Sequence, residues 1–347
     1  MRTILAIETS CDETAAAVVR DGRYIVSNVI ASQVELHRKY GGVFPELASR
    51  EHVRVVPLVL EEAIAPLSGG WDDLDAIAVT HGPGLAGSLL VGVNMAKGIA
   101  YGRGLPLLAL NHILSHIYAN WLIPPDRDTV EPVQEEPEFP LLVLIVSGGH
   151  TDLVLMRSHD DYYVVGETID DAAGEALDKV ARLLGLSYPG GPEIERVAAN
   201  GLPASVDMPR MRMRDTYNFS FSGLKTAVLR LVESYGDRDE APDLGRLPVA
   251  NIAAAFQESI VEALVSKTVE AAQSFAVRQV LLAGGVAANG RLRHAMSQAL
   301  GNTPLRYPPK RLCTDNAAMV ASAAFYQQER ALAGWDLDVL PSLRLPA

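Results

Sequence analysis

The sequence Leu141-Leu142-Val143-Leu144-Ile145-Val146-Ser147-Gly148-Gly149-His150-Thr151 runs from an apolar strand pattern into a Gly-rich turn. The same order occurs at the start of the chain, where a strand pattern from Thr3 to Thr9 leads into the polar turn Ser10 to Thr14. Two more strand patterns follow in each place, so residues 4–30 and 141–169 each predict a three-stranded meander. Because the two sequences are not visibly similar, the repeat is one of structure.

Helical patterns alternate with short strands after each meander, which is typical of an α/β domain. An acidic, Pro-rich segment near residues 125–138 separates the halves and predicts an exposed loop. We therefore expect two α/β domains, 1–125 with 316–347 and 126–315, with a ligand cleft between them. The second half further predicts an irregular basic segment from Met208 to Lys225 and two helices from Ala250 to Phe275.

Composition excludes several classes of protein. The 347 residues suit two domains, and 48% hydrophobic residues exclude a disordered chain. The net charge of −12 means that any surface for nucleic acid must be a local basic patch. Cys11 and Cys313 are too few for a disulfide framework, and no apolar run reaches the roughly 18 residues of a membrane span. We expect a cytoplasmic protein that does not interact with membranes.

The segment Asn111-His112-Ile113-Leu114-Ser115-His116 carries two histidines four residues apart. On a helix they lie on one face, where both can bind one metal ion. A zinc protease motif requires Glu where Ile113 stands, so this segment lacks the general base of that class. The alternative is a pair of polar helix residues without a metal. Asp315, at the start of the last predicted helix, is a candidate third ligand.

Two Gly-rich turns follow predicted strands. The backbone N–H groups of Gly148 and Gly149 can bind an anion, although a plain hairpin turn has the same sequence signature. The turn from Ala283 to Asn289 either allows close approach of a ligand or packs a strand tightly against the next helix. Asn289 itself either hydrogen-bonds a ribose or base, or caps that helix.

Several carboxylates stand in turns or early in helices. Asp170 and Asp171 precede a predicted helix and favour its N-terminus, whereas Asp178 lies two turns in and is a candidate for binding ribose hydroxyls. Asp12 and Glu13, in the turn after the first strand, can position a nucleophile or a water. The alternative for this pair is a solvated acidic turn.

A local basic cluster with interleaved aromatic residues stands out in the acidic chain. Its cations are Arg210, Arg212, Arg214 and Lys225, and its aromatic residues are Tyr217, Phe219 and Phe221. Such a cluster can bind RNA by phosphate contacts and base stacking. The alternative is a solvated surface loop.

In their order along nearly the whole chain, these motifs resemble the TsaD (Gcp) family of tRNA N6-adenosine threonylcarbamoyltransferases. The matching segments are Ile7 to Thr14, His112 with His116, Ser147 to Thr151, Asp170 to Lys179, Tyr188 to Pro192, Asn218 to Lys225, Ala283 to Leu292 and Thr314 to Ala318. The resemblance implies the two-domain actin-like ATPase (ASKHA) fold. It also implies transfer of a threonylcarbamoyl group to N6 of the adenosine next to the anticodon.

The resemblance further implies the ligands and their residues. It implies one metal ion, Fe(II) in the first place and Zn(II) as the alternative, held by His112, His116 and Asp315. It implies threonylcarbamoyl-AMP as the donor. The positions implied for this substrate are Ile145, Val146, Ser147, Gly148, Gly149, Asp178, Gly191 and Asn289. We assign Asp12 or Glu13 as the catalytic group that accepts the N6 proton.

Three partners follow from the same resemblance: tRNA, a TsaB-like paralogue in a heterodimer, and a TsaE-like ATPase. The loop His81 to Gly87 and the helix Ser88 to Lys97 are candidates for the heterodimer surface. Other functions remain as alternatives. A plain actin-like kinase or ATPase leaves the two histidines without a role, and a non-catalytic scaffold like TsaB is expected to lack them.

Overall fold

The computed structural model describes residues 2–124, 135–211, 213–235 and 247–346. Arg212 and residues 125–134 of the predicted acidic loop lie outside the described residues. The chain forms two compact units, one of Met1–Glu138, Ser158–Asp161 and Pro308–Pro346, the other of Phe139–Arg157 and Tyr162–Tyr307. Asp315 therefore belongs to the first unit, whereas the predicted boundary placed it in the second domain.

Strands and helices alternate after each meander. In the described part of the chain the strands are β1 (Thr3–Glu8), β2 (Glu13–Arg20), β3 (Tyr24–Ser32), β4 (Ala76–Gly82), β5 (Leu107–Asn111), β6 (Leu141–Val146), β7 (Thr151–Met156), β8 (Tyr162–Glu167), β9 (Gln279–Ala283), β10 (Leu305–Arg306) and β11 (Leu332–Ala333). The helices are α1 (Val34–Arg38), α2 (Pro45–Ile64), α3 (Ala86–Arg103), α4 (His112–Tyr118), α5 (Ala173–Leu183), α6 (Gly190–Ala198), α7 (Ser222–Glu233), α8 (Val249–Ser274), α9 (Gly290–Leu300), α10 (Ala317–Tyr326) and α11 (Gln328–Ala331).

The two sheets repeat one topology. The sheet of the first unit has the order β11-β5-β4-β1-β2-β3, and the sheet of the second has the order β10-β9-β6-β7-β8. β1 pairs antiparallel with β2 and parallel with β4, and β6 pairs in the same way with β7 and β9. Without β11, each sheet has five strands, and the strand that comes first in the chain, β1 or β6, lies third in both. The other four strands also occupy matching positions in the two sheets. The predicted structural repeat is confirmed.

The central strand of the first unit, β1, is buried along its whole length. On one face, Leu5 and Ile7 pack in a cluster with Val56 of α2 and Val93 of α3. α10 packs against the sheet as well and also contacts α4. A strand that is covered on both faces has a nearly continuous apolar sequence, and this explains why β1 is mostly apolar. Glu8, its last residue, is the exception to that composition and is fully buried.

The helices of the second unit differ from the prediction in two places. α8 is one continuous helix where two were predicted, since residues 249–274 contain neither Gly nor Pro. Among the described helices it alone is long and apolar enough to cross a membrane, yet 61% of its most apolar window is buried within the protein. α7 begins at Ser222, inside the segment predicted to be irregular.

Candidate functional site

The two histidines of the predicted metal site lie at the start of α4. β5 runs directly into this helix, and the Asn111 side chain caps it by accepting hydrogen bonds from the N–H groups of Ile113 (2.8 Å) and Leu114 (3.0 Å). The cap fixes His112 in the first turn and His116 one turn later. Their ring centroids are 4.7 Å apart.

Asp315 reaches the same point from α10. Asn316 caps α10 by accepting a hydrogen bond from the N–H of Met319 at 3.1 Å, which places Asp315 immediately before the helix. The Asp315 Oδ1 atom lies 3.1 Å from Nε2 of His116 and 3.6 Å from Nε2 of His112. The three predicted ligands are therefore brought together within the first unit.

The geometry of these three side chains fits a single metal ion. One ligand atom from each lies within 4.8 Å of the others. Ligands about 2.1 Å from a tetrahedral ion lie about 3.4 Å apart, close to the distances found here. His116 is buried, its Nδ1 has no hydrogen-bond partner among the described residues, and its Nε2 faces Asp315. Three protein ligands leave a coordination position for a substrate, as catalytic sites do.

Glu8 is a fourth polar residue of this centre that our reading of the sequence did not single out. Its carboxylate is fully buried, and its Oε2 atom lies 3.1 Å from Nδ1 of His112. A charged side chain at the end of an otherwise apolar buried strand is the signal that identifies it, because a buried carboxylate needs partners.

Charges within this cluster shift the pKa values of its members. Burial lowers the pKa of His112, but Asp315 and Glu8 more than offset this effect and raise it to about 9. Burial raises the pKa of Asp315, while His112 and His116 lower it to about 2. Because a metal-bound imidazole nitrogen must be deprotonated, binding of a metal releases a proton from His112.

The acidic turn with Asp12 and Glu13 follows β1. Asp12 is buried, and Glu13 accepts a hydrogen bond from the Ser32 hydroxyl at 2.8 Å. Burial raises the pKa of Glu13 to about 9, and the neighbouring charges of Asp12 and Asp315 act in the same direction. A carboxyl group with this pKa holds a proton at neutral pH, so it is better suited to donate a proton than to accept one.

The predicted substrate turn of the second unit, Ser147 to Thr151, closes on itself. The N–H of Ser147 donates to the His150 carbonyl at 2.9 Å. Gly148 and Gly149 are exposed, and a Cβ atom on either would meet nothing within 4 Å in the described residues. Packing does not require these two glycines, which is the expected situation if a ligand occupies the space.

A neighbouring glycine, Gly174, is required by packing. A Cβ atom there would lie 2.4 Å from the Ser147 carbonyl oxygen. The close approach lets the Gly174 N–H donate to that oxygen at 3.2 Å. The start of α5 is therefore held against the substrate turn.

Asp178 bonds to the first residue of α6, the helix that contains Gly191. Asp178 Oδ1 accepts a hydrogen bond from the N–H of Gly190 at 2.7 Å, the residue that precedes Gly191. A Cβ atom on Gly191 would touch only Leu177 in the described residues, at 3.9 Å. The structure thus gives Asp178 a capping role at α6.

Asn289 caps α9. Its Oδ1 accepts from the N–H of Leu292 at 2.9 Å, and its amide donates to Gln257 Oε1 at 3.0 Å. Of the two roles considered for Asn289, the structure contains the cap. Contact with a nucleotide stays a prediction.

Asp170 stabilises a different helix from the one predicted. It accepts hydrogen bonds from the backbone N–H groups of Phe221 (2.7 Å) and Ser222 (3.3 Å), and from the hydroxyls of Ser220 (2.5 Å) and Ser222 (2.8 Å). These residues begin α7, not α5. The sequence could not show this contact because 50 residues separate the partners.

The basic cluster is only partly available for RNA. Phe219 and Phe221 are fully buried, so the prediction that they stack on bases is wrong. Arg210 forms an ion pair with Glu262, and Arg214 is exposed. Lys225 lies 3.9 Å from Asp171, and Arg212 lies outside the described residues.

Comparison with solved structures shows the fold. The chain is similar to component A of (R)-2-hydroxyglutaryl-CoA dehydratase from Acidaminococcus fermentans, with a TM-score of 0.52, 15% identity, and coverage of 95% of this chain and 100% of that chain. It is also similar to full-length HypF in its phosphate- and nucleotide-bound form, with a TM-score of 0.59, 12% identity, and coverage of 95% and 46%. Both support the predicted two-domain actin-like ATPase fold.

Comparison with family models and curated sequences shows the family. The model for TsaD, tRNA N6-adenosine threonylcarbamoyltransferase, matches residues 24–322. The enzymes of that name from Thermomicrobium roseum and Geobacillus kaustophilus are 55% and 53% identical, each alignment covering 99% of this chain and 96% of the relative. The chain therefore belongs to the TsaD family of tRNA N6-adenosine threonylcarbamoyltransferases.

Proposed function

We propose that this transferase takes the threonylcarbamoyl group from threonylcarbamoyl-AMP and passes it to N6 of the adenosine next to the anticodon. The tRNAs are those that read codons starting with A, AMP is released, and the reaction takes place in the cytoplasm. The observation that carries the proposal is the cluster of His112, His116 and Asp315, in a chain that matches transferases over its full length. A plain kinase or ATPase would leave this group without a role.

The nucleotide part of the donor binds the second unit in this proposal. The N–H groups of Gly148 and Gly149 hold the phosphate, because exposed backbone amides in a tight turn suit an anion. Ile145 and Val146, fully buried at the end of β6, and Ser147 lead into the turn that carries these amides. Asp178, Gly191 and Asn289 surround the ribose and base. HypF, a protein with the same fold, was solved in a phosphate- and nucleotide-bound form, which supports nucleotide binding here.

His112, His116 and Asp315 hold Fe(II) in this proposal, with Zn(II) as the alternative. Two histidines and one carboxylate are the ligand set that non-haem Fe(II) proteins use, and Zn(II) accepts the same donors. When bound, the ion supplies Lewis acidity that polarises and orients the threonylcarbamoyl group.

The chemical step is an acyl transfer. The N6 nitrogen forms a bond to the carbamoyl carbon, the bond from this carbon to the phosphate oxygen breaks, and AMP leaves with the electron pair. An exocyclic amine is a weak nucleophile, so holding both reactants in place contributes most of the acceleration. The proton from N6 passes to a carboxylate, and Asp12 is our candidate. The raised pKa of Glu13 makes it the weaker candidate of the pair.

A TsaB-like paralogue pairs with the first unit in this proposal. A groove of about 600 Å³ between α2 and α3 is lined mainly by apolar side chains, among them Val53, Leu90 and Met95. Val53 is 61% exposed and Leu90 is 43% exposed, which suits a protein partner. α3 contains the segment Ser88 to Lys97, which the sequence indicated as a candidate for the heterodimer surface.

A TsaE-like ATPase binds this complex in the same proposal. Arg214 and Lys225 are candidate tRNA contacts.

The proposal is tested by mass-spectrometric nucleoside analysis of tRNA from a reconstituted reaction. The mixture contains the chain, its partners, threonine, bicarbonate, ATP and the enzyme that makes the adenylate. We expect threonylcarbamoyladenosine with wild type and with His294→Ala, an exposed control, and none with His112→Ala. Product with His112→Ala would remove the histidine from catalysis. No product with wild type, in a mixture active with the Thermomicrobium roseum enzyme, would overturn the proposal.

A further inference from the structure

The fully buried Glu8 carboxylate lies at the centre of a hydrogen-bond network. Its Oε1 atom accepts the N–H of Ser10 at 2.5 Å, and its Oε2 atom accepts the Thr80 hydroxyl at 2.6 Å. Oε2 also lies 3.1 Å from Nδ1 of His112. The strands β1 and β4, which are paired, supply Glu8 and Thr80, so the sheet itself fixes the carboxylate.

These contacts determine which nitrogen of His112 carries a proton when a metal is bound. When Nε2 of a neutral imidazole ligates a metal, the ring proton stands on Nδ1, and the carboxylate oxygen that faces Nδ1 is Oε2 of Glu8. This short contact is therefore a hydrogen bond that Nδ1 donates to Oε2. The other nitrogen, Nε2, faces Asp315 and is left with its lone pair for the metal.

We propose that Glu8 is a positioning residue of the metal centre: it holds the His112 ring with the proton on Nδ1 and Nε2 directed at the metal ion. The inference rests on the proposed metal centre and adds a residue outside the ligand set. Carboxylates that hold the second nitrogen of a histidine ligand raise its basicity and fix its orientation.

His116 provides an internal contrast. Its Nδ1 atom has no hydrogen-bond partner among the described residues, so the structure holds the two histidines in different ways. The packing of α4 against α10 and the contact of Nε2 with Asp315 orient His116, and no carboxylate holds its Nδ1 among the described residues. Loss of Glu8 should therefore act on the metal through His112.

The test is the affinity for Zn(II), measured on the full chain by competition with a chromophoric chelator. In Glu8→Gln the amide oxygen must still accept the hydrogen bond from the Ser10 N–H. The amide N–H₂ therefore faces Nδ1 of His112. The proton on Nδ1 loses its carboxylate acceptor and keeps only the neutral Ser10 hydroxyl, 3.1 Å away, while the amide N–H₂ favours the tautomer with the proton on Nε2, where it blocks the metal. We expect Zn(II) to bind about 10–100-fold more weakly than to wild type.

Thr80→Val is the matched control, because it removes a second hydrogen bond from the same carboxylate and leaves the contact with His112 in place. We expect it to bind Zn(II) more tightly than Glu8→Gln does. Thermal unfolding and circular dichroism establish that each variant folds. If Glu8→Gln does not fold, Glu8→Asp, which withdraws the carboxylate by one methylene, is measured in its place and is also expected to bind more weakly.

The absorption spectrum of the Co(II)-loaded protein gives a second readout, because it reports the coordination of the metal. We expect the spectrum of Glu8→Gln at saturating Co(II) to differ from that of wild type, whereas Thr80→Val keeps the wild-type spectrum. Equal Zn(II) affinity and equal spectra in wild type and a folded Glu8 variant would overturn the assignment of Glu8. Failure of wild type itself to bind either metal would instead overturn the proposed metal centre.

Discussion

Asn111 and Asn316 cap the two helices that meet at the proposed metal centre, and each stands next to a predicted ligand. Asn111 precedes His112 and accepts two backbone N–H groups of α4, while Asn316 follows Asp315 and accepts one from α10. The first turn of each helix is thus fixed beside the ligand it carries. The position of the ligands depends on two helix caps as well as on their own side-chain contacts.

The cap of α4 gives the first prediction. Asn111→Ala removes both hydrogen bonds and should lower the free energy of unfolding by about 1 kcal/mol. It should also weaken Zn(II) binding, because the first turn that carries His112 loosens. Asn289→Ala is the matched control, since it removes the cap of α9 in the other unit and should leave Zn(II) affinity unchanged. Equal Zn(II) affinity in both variants would show that the cap of α4 does not position the ligand.

The glycines of the predicted substrate turn give a second prediction. Gly149→Ala should leave the melting temperature nearly unchanged, because the new methyl group meets no described atom within 4 Å. It should weaken binding of AMP, measured by isothermal titration calorimetry, if the phosphate contacts the turn. Gly174→Ala should instead destabilise the protein, since its Cβ atom would lie 2.4 Å from a backbone oxygen. Unchanged AMP affinity in Gly149→Ala would remove the turn from the binding site.

Stability should depend on pH through His52. Its Nε2 donates to the Cys11 carbonyl at 3.0 Å, so its Nδ1 accepts from the Thr14 hydroxyl at 2.7 Å and the ring is neutral. Burial is the main cause that lowers the pKa of His52 in the folded state. Below the unfolded pKa of about 6.5 the unfolded chain binds a proton that the folded one does not, so stability falls as pH falls.

The corresponding measurement is urea unfolding from pH 7.5 to 5.5 on wild type and His52→Gln. The variant should be less stable at pH 7.5, and its stability should decline less steeply as pH falls. The other titrating groups are common to both proteins and cancel in the difference. Parallel declines would show that His52 does not contribute to the pH dependence.

Asp170 gives a prediction for the second unit. Asp170→Ala removes four hydrogen bonds at the start of α7 and should lower the free energy of unfolding by about 2 kcal/mol at pH 7. Burial raises the pKa of Asp170, but the bonds from Ser220, Phe221 and Ser222 lower it overall. The stabilisation is therefore present above the unfolded pKa and is lost as pH falls through the folded pKa, so the two proteins should converge in acid.

A surface pair provides the control for Asp170. Glu175→Ala removes an exposed ion pair with Lys179 in the same unit and should change the free energy of unfolding by less than about 0.5 kcal/mol. Chemical denaturation measures both variants. A loss as small for Asp170→Ala would mean that the start of α7 is held by packing alone.

The apolar groove between α2 and α3 gives a prediction for the heterodimer. Leu90→Glu should abolish binding of a TsaB-like partner, measured by analytical ultracentrifugation, while the melting temperature stays close to that of wild type. Leu202→Glu, at an exposed position of the second unit, should leave the binding intact. Binding by Leu90→Glu would place the interface elsewhere on the molecule.

The sequence predicted the fold well because the strands are short, apolar and bounded by turns. β6 has the predicted bounds, Leu141–Val146, since Pro140 and the glycines of the turn limit it on both sides. α7 was missed because its first turn is stabilised by Asp170, which is distant in the sequence. α8 was divided in two although nothing in its sequence interrupts a helix.

From the residues alone, only the part of the candidate site that depends on local spacing could be predicted. His112 and His116 stand one helical turn apart, so the sequence itself placed them on one face. Asp315 was assigned as the third ligand on the resemblance to a family. About 200 residues separate it from the two histidines, and no local pattern links them. The sequence shows Glu8 only as a charged residue at the end of an apolar strand pattern, whereas its burial and its contact with His112 are properties of the folded chain.

The repeated topology gives the chain two equivalent turns, each directly after the first strand of its sheet. In one, the strand ends in Glu8 and the turn begins with Ser10, beside a centre suited to a cation. In the other, the strand ends in Val146 and the turn exposes the bare amides of Gly148 and Gly149, which suit an anion. The turn after β1 thus favours a cation, whereas the turn at the corresponding position after β6 favours an anion. A substitution in one turn therefore changes one of the two charge preferences and leaves the other in place.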